Sequence, residues 1–305
     1  MEHQTTIGNV FTLTGTGLHT GKVTHVTVRP AEADSGIVLL RSDLTPNVAI
    51  PARAENVVDT NHGTTLASGN ASVSTIEHMM SAFHGLGVDN AIVEVDGPEV
   101  PILDGSAIPW VEKIRLVGIT PLDAERRYLE LPHEVVWEDA EAGIRMLATP
   151  AERFSVECRI EFKSELIGSQ EASLDGFENY AEEIARCRTF VFLHEVEALL
   201  ALNLIKGGDL DNALVFVDKS LGEEEKARLA SLFNKDKESI HVRNGVLNTN
   251  EPYFANEPAR HKLLDFLGDI YLLGAPVKAH FTIICPGHRA NTELAKKISK
   301  IITAQ

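Results

Sequence analysis

Apolar and polar residues alternate over short stretches at the start of the chain. Residues 5–13, 23–29 and 36–40 each read as a strand with one buried face. Between the first two lies Gly15-Thr16-Gly17-Leu18-His19-Thr20-Gly21, glycine-rich but lacking the Lys-Ser/Thr ending of a phosphate loop. A strand pattern follows it, so it reads as a hairpin turn, with His19 read first as a packing residue of that turn. The polar loop at Asp59-Thr60-Asn61-His62-Gly63-Thr64 runs into another strand. Then the period changes. Ile76, Met79, Met80 and Phe83 recur at helical spacing, with Ser74 or Thr75 placed to cap. A strand over residues 90–95, a turn at Asp104-Gly105-Ser106 and a helix over about residues 107–117, ended by Gly118, complete this half.

Residues 120–127 are charged, punctuated by Pro121 and without an apolar face, the pattern of a domain boundary. Beyond them, strands are predicted over residues 128–137, 143–150, 154–162 and 278–285. Helices are predicted near residues 179–185, from Pro258 onward, and over residues 292–303. Strands, a helix pair and a closing strand thus occur twice, with no repeat visible residue by residue. Two segments interrupt the second half. The first has a short apolar helix pattern at residues 194–204, then Lys206-Gly207-Gly208, then a strand at residues 213–217. The second, residues 221–250, carries Glu223-Glu224-Glu225 and reads as a solvated helix and loop, a tolerated surface insertion.

A length of 305 residues suggests two domains, and 44% hydrophobic with 24% charged residues is an ordinary globular balance. The net charge of −16 excludes non-specific affinity for nucleic acid, while leaving room for a local basic pocket. Cys158, Cys187 and Cys285 are odd in number and widely spaced, as buried reduced thiols are. The first nine residues are too polar for a signal peptide, and no apolar run approaches a membrane span. A cytoplasmic protein without stable membrane insertion is expected.

The chemistry concentrates in two helices. After Pro258, the residues His261, Asp265 and Asp269 lie one turn apart, on a face distinct from the stripe of Leu263, Leu264, Phe266 and Leu267. Such a His/Asp pair is most often a surface pair, but it can also share a divalent metal. His78 would complete a His, His, Asp set with a coordination position left for water. Glu77, beside it, is placed to take a proton from that water. Two histidines and a carboxylate are also the facial triad of non-haem iron oxygenases. Those proteins usually space the first His and the acid one residue apart on a strand.

Glu77-His78, the run His261-Lys262-Leu263-Leu264-Asp265-Phe266-Leu267-Gly268-Asp269 and Gly287-His288 resemble the signatures of one family, the UDP-3-O-acyl-N-acetylglucosamine deacetylases, or LpxC. The turn at residues 15–21, Val100-Pro101-Ile102-Leu103-Asp104-Gly105-Ser106 and Arg188-Thr189-Phe190 match as well, in family order over nearly the whole chain. The resemblance implies an α+β fold of two similar sheet-plus-helix-pair domains, residues 1–124 and 125–305, packed with the active site in the cleft between them. It implies hydrolysis of the N-acetyl amide of a UDP-sugar carrying a 3-O-acyl chain, the committed step of lipid A synthesis. Zn²⁺ on His78, His261 and Asp265 is the implied cofactor, and Fe²⁺ is compatible with the same ligands. Glu77 is implied as base, His288 as the cationic acid with Asp269 as its partner, and Thr189 as the donor to the oxyanion. Lys262, pointing off the metal face near the cleft mouth, would meet the phosphates, and Phe190 the sugar. Phe192 is as compatible with core as with site. The insert at residues 194–217, with Val196, Ile205 and Gly208, would enclose the acyl chain. The wording Asn256-Glu257-Pro258-Ala259-Arg260-His261 is most like forms fused to an acyl-carrier-protein dehydratase, which makes a fused or associated dehydratase the implied partner.

Overall fold

The computed structural model describes residues 2–201, 204–217, 221–233, 235–247 and 251–303. Two five-stranded paths of the same topology form its frame. The first runs Phe11–Thr16, Val23–Pro30, Ala91–Val95, Ile37–Arg41, Val48–Pro51. Its central strand comes last in sequence, antiparallel to Val23–Pro30 and parallel to Ile37–Arg41. The second runs Val135–Asp139, Ile144–Pro150, Val277–Ile284, Ser155–Glu161, Ser169–Asp175, again with the last strand central and the same senses on either side. Leu129–Glu130 adds a short parallel pairing to Val277–Ile284. The central strands alternate buried and half-buried residues, as strands with one face on a helix layer must.

Each central strand lies between two helices in sequence. α1 (Glu77–Leu86) and α2 (Ile108–Val117) flank the first. After the short α3 (Tyr180–Glu183), α4 (Leu193–Ala201) and α5 (Glu223–Leu232), the second is flanked by α6 (Glu257–Ile270) and α7 (His288–Thr303). The fold is α+β and the unit occurs twice, as expected. α1 and α6 pack on each other more extensively than any other helix pair, and one continuous apolar core joins both sheets through them. Gly268 makes this approach possible: a Cβ there would lie 2.0 Å from the Glu77 carbonyl oxygen. The two helices therefore touch through backbone at the residue that opens α1.

Several expectations need correction. The stretch 5–13 is two strands, His3–Ile7 and Phe11–Thr16, because the chain turns away at Gly8, whose N–H binds the Gly118 carbonyl. The boundary segment is itself a strand, Ile119–Glu125, antiparallel to His3–Ile7. None of its side chains is buried, so backbone pairing defines it. The stretch 128–137 breaks around Pro132 into Leu129–Glu130 and Val135–Asp139. Ser169–Asp175 was missed, its two buried residues being only Ala172 and Leu174. No side chain caps α1; Thr75 instead holds φ +60 and gives its hydroxyl to Glu99. α7 begins at His288, not at residue 292.

The insert expected at 194–217 is larger than its boundaries. Its strand Leu214–Phe216 lies between Phe190–Phe192 and Val246–Leu247, and Val242–Arg243 closes a four-stranded sheet. Residues 202–203 of the expected helix lie outside the described residues, as do residues 234 and 248–250 of the expected surface insertion. The described part of that insertion is not merely solvated. Leu229, Ala230, Phe233 and Ile240 join Leu193, Val196, Ile205 and Leu210 in a second apolar core. Among the described residues, no helix is long and apolar enough to cross a membrane.

Gly268→Ala separates two opposed effects. Helix propensity alone would stabilise the protein by up to about 1 kcal/mol, whereas overpacking at a backbone contact costs about 1–3 kcal/mol. The expected outcome is net destabilisation, read as a lower urea midpoint at unchanged m. A raised midpoint would show that α1 and α6 can part without cost.

Candidate active site

The first two residues of α1 and one face of α6 meet beneath the cleft. His261 and Asp265 stand one turn apart on α6, and His78 reaches them from α1. The Asp265 carboxylate oxygen Oδ1 lies 3.3 Å from His261 Nε2 and 3.5 Å from His78 Nε2. All three residues are buried, and their ligand atoms fall within 4.8 Å of one another. Asp265 Oδ1 has no hydrogen-bond partner. His261 Nδ1 lies 3.0 Å from the Cys187 carbonyl, which can only accept, so Nδ1 carries the proton. Burial pushes the His261 imidazole down to about 3, so it is neutral and Nε2 offers a lone pair. A lone pair thus faces a buried carboxylate oxygen. Two acceptors in that position call for a cation between them, and the donor set of two nitrogens and one oxygen fits a divalent transition metal.

Lys262 does not point away from this set. Its ammonium lies 3.0 Å from Asp265 Oδ2 and 5.6 Å from the centre of the Phe190 ring. Burial would raise the Asp265 carboxyl, but the surrounding positive charge, with the Lys262 ammonium in direct contact, outweighs it and holds it well below the usual range. Asp265 is therefore an anion with one oxygen neutralised and the other left for an ion.

Glu77 is buried beside His78, and its Oε2 accepts the N–H of Thr64 at 3.0 Å. Burial raises its carboxyl above the ordinary range, against the pull of His288 and His78. Such a carboxylate takes a proton more readily than an exposed one. Thr75, two residues earlier, is a β-branched residue in left-handed backbone, a conformation that costs on the order of 1–3 kcal/mol. The buried Glu99 holds it there and also accepts the N–H groups of His19 and Thr20 in the hairpin turn.

On the other flank, Asp269 is fully buried and accepts three bonds: Thr64 Oγ1 at 2.5 Å, Asn291 Nδ2 at 2.9 Å and His288 Nδ1 at 3.0 Å. His288 sits at the N-terminus of α7, where the helix dipole and burial both disfavour a cation. Burial lowers its affinity for a proton; Asp269, Glu77 and Asp265 reverse that and raise it to about 9. Thr64 links the two arms, its N–H on Glu77 and its hydroxyl on Asp269.

Glu77, His78, His261, Lys262, Asp265 and His288 line one cleft of about 230 Å³. Thr189 and Phe190 form its wall over the ligand set, with the Thr189 N–H on the Gly105 carbonyl. Val196, Ile205 and Gly208 carry it into the second core. Phe192 does not line it; that ring packs among Phe162, Phe216 and His194. His62, given no role by the sequence reading, and Phe233, whose segment was read as solvated, also line the cleft. His19, read as packing, borders the cleft with its two ring nitrogens 2.8 and 3.1 Å from the Leu204 and His62 carbonyls.

Two histidines and an aspartate that could hold a metal ion, with an adjacent carboxylate and a carboxylate-held imidazolium in one cleft, are the arrangement of the hydrolytic metal-centre class. The chain belongs to the LpxC family, whose model, described as UDP-3-O-acyl N-acetylglycosamine deacetylase, matches residues 4–237 and 234–300. It is 43% identical to the bifunctional enzyme LpxC/FabZ of Porphyromonas gingivalis, over 99% of this chain and 65% of that protein. It is 41% identical to the protein of the same name from Chlorobaculum tepidum, over 98% of this chain and 64% of that one. The UDP-3-O-acyl-N-acetylglucosamine deacetylase of Teredinibacter turnerae is 39% identical, over 98% of this chain and 91% of its own length. The chain thus spans less than two thirds, 65% and 64%, of the length of these bifunctional relatives.

The His288 assignment has a direct readout. Its imidazole resonance should titrate near 9, far above an unperturbed His at about 6.5. Because the folded value is the higher one, the stability His288 contributes is fully present below about 6.5 and is lost as pH rises through about 9. Asp269→Asn should move the resonance down from there, since the largest opposition to burial is removed and only Glu77 and Asp265 remain to hold the proton. A titration midpoint unmoved by that substitution would break the pairing.

Proposed function

We propose that the chain hydrolyses the N-acetyl amide of UDP-3-O-(3-hydroxyacyl)-N-acetylglucosamine, releasing acetate in the committed step of lipid A biosynthesis. The observation that carries this reading is the orphaned Asp265 oxygen facing two histidine nitrogens, with Glu77 and His288 on either flank. His78, His261 and Asp265 would hold the metal. Zn²⁺ suits two nitrogens and an oxygen with a position left open, and Fe²⁺ is compatible with the same donors. A divalent ion held there supplies Lewis acidity toward water and toward an amide carbonyl.

The chain's own groups move the protons. Glu77 accepts one from water as the new C–O bond forms. The Thr189 hydroxyl, at the cleft wall, donates to the oxygen on which negative charge develops. The imidazolium of His288 faces that charge and gives its proton to the nitrogen as the C–N bond breaks, so the amine departs neutral. Asp269 keeps His288 charged between turnovers. Lys262, at the cleft wall beside Phe190, positions the head group; the paired Asp265 limits how far its ammonium can swing.

Residues 1–124 and 125–305 are taken as the two domains; the two main sheets fall on either side of that division. The printed names of the bifunctional relatives support a fused or associated dehydratase as partner. A cytoplasmic site of action follows from a nucleotide-activated substrate.

The roles separate by measurement. His78→Ala, His261→Ala and Asp265→Ala should each lose bound metal and acetate release together. Glu77→Ala should keep the metal and lose kcat by ~10²–10⁴-fold, the scale of a missing general base. Metal content per chain in the four variants decides it. A metal-free Glu77→Ala protein would make that residue a ligand.

A further inference from the structure

The insertion at residues 221–247 is built onto the cleft. Its helix α5 lays Leu229 and Ala230, and the following Phe233, into the second apolar core, against the insert that carries Val196 and Ile205. Val246–Leu247 pairs antiparallel with Leu214–Phe216, so the insertion shares a sheet with the strand that holds Phe190. A polar tether adds to this: the Lys235 ammonium lies 3.2 Å from Asp209 and 2.8 Å from Asp211, in the loop just after Gly208. Of the described residues in the insertion, Phe233 alone lines the cleft, and it is buried.

We infer that Phe233 closes the apolar arm of the cleft and sets the longest acyl chain this enzyme accepts. The inference rests on the function proposed above and adds a residue from a segment that looks, by charge, like solvated surface. The physical reason is position. The ligand set lies under the main core and Phe233 in the second one, so the ring stands at the apolar end of a cleft that the metal site occupies at its polar end. An aromatic ring with buried neighbours yields little, so a chain reaching it must stop or bend. Each methylene that can be buried is worth about fourfold in relative kcat/KM.

The test is the profile of kcat/KM across UDP-sugar substrates of increasing acyl length. Phe233→Ala should move the optimum to longer chains, gaining about fourfold per added methylene relative to wild type until the new space is filled. Phe233→Trp should move it to shorter ones. Thermal melts check that both variants fold, and the opposed directions exclude general loosening of the core. Unchanged profiles in two folded variants overturn the inference and leave the proposed activity standing. If wild type releases no acetate from any member of the series, the proposed activity fails instead. The inference is then read from calorimetric binding of straight-chain fatty acids, where the same two opposed shifts are expected and their absence refutes it.

Discussion

The backbone contact between Gly268 and Glu77 is what the other features of the site depend on. A helix pair separated by ordinary side chains would set its axes some 8–10 Å apart. Here the missing side chain at Gly268 lets α6 reach the carbonyl of the first residue of α1. That approach brings His78 to within 3.5 Å of Asp265, four helices away in sequence. It also sets Glu77 and Asp269, which flank the contact, close enough for a single residue, Thr64, to bond both. Moving one helix out by the radius of a methyl group would disturb every one of these distances together. The twin topology supplies the reason the contact exists at all. Each half presents the helix before its central strand at the same place, and the two such helices face each other.

Around this contact the protein collects buried carboxylates and gives each a different fate. Asp269 is saturated by three donors and serves only to keep His288 charged. Asp265 has one oxygen on Lys262 and one with no partner. Glu77 has a single backbone donor on Oε2 and is left basic by burial. Glu257 is consumed by structure, binding the N–H and guanidinium of Arg188 and so fixing the segment that ends in Thr189. The same residue opens α6, so the helix with the ligands and the wall above them are tied at their start. Four buried carboxylates with different donors are thus four chemically different groups, although all belong to the two helices that meet at this contact.

How much of this was legible depends on whether the signal was periodic. His261 and Asp265 could be read because a helix repeats every turn and the apolar stripe beside them set its phase. His78 and Glu77 could be read for the same reason. His288 was assigned its role by resemblance, but its place was read as a loop, because Pro286 and Gly287 signal a turn and not the helix that starts immediately after. The bonds that Thr64 and Asn291 make to buried carboxylates left no signal: a threonine in a polar loop and an asparagine in a first turn show nothing of their partners. The strained backbone at Thr75 is invisible for a related reason. Its hydroxyl bonds Glu99, far along the chain, so the motif that resembles a helix cap serves a tertiary bond instead. The strand Ile119–Glu125 escaped because its pairing uses backbone while its side chains stay in water.

The insertion shows how charge can mislead where burial decides. Glu223, Glu224 and Glu225 open α5 as first-turn acids should, favoured by the helix dipole, and they set the apparent character of the whole segment. Yet Leu229, Ala230 and Phe233 follow at positions that share one face, and that face is buried. The segment spends its charge on one end of a helix and its apolar residues on the other. A small core of this kind needs covering on all sides, and the insert between Phe190 and Phe216 has too few strands to cover itself. Val242–Arg243 and Val246–Leu247 extend its sheet, and α5 closes over its face. A wall added in this way, outside the twin frame that fixes His78, His261 and Asp265, can change in shape without moving Asp265 or His78. That separation leaves the polar end of the cleft under strict geometric constraint and the apolar end free to differ in length.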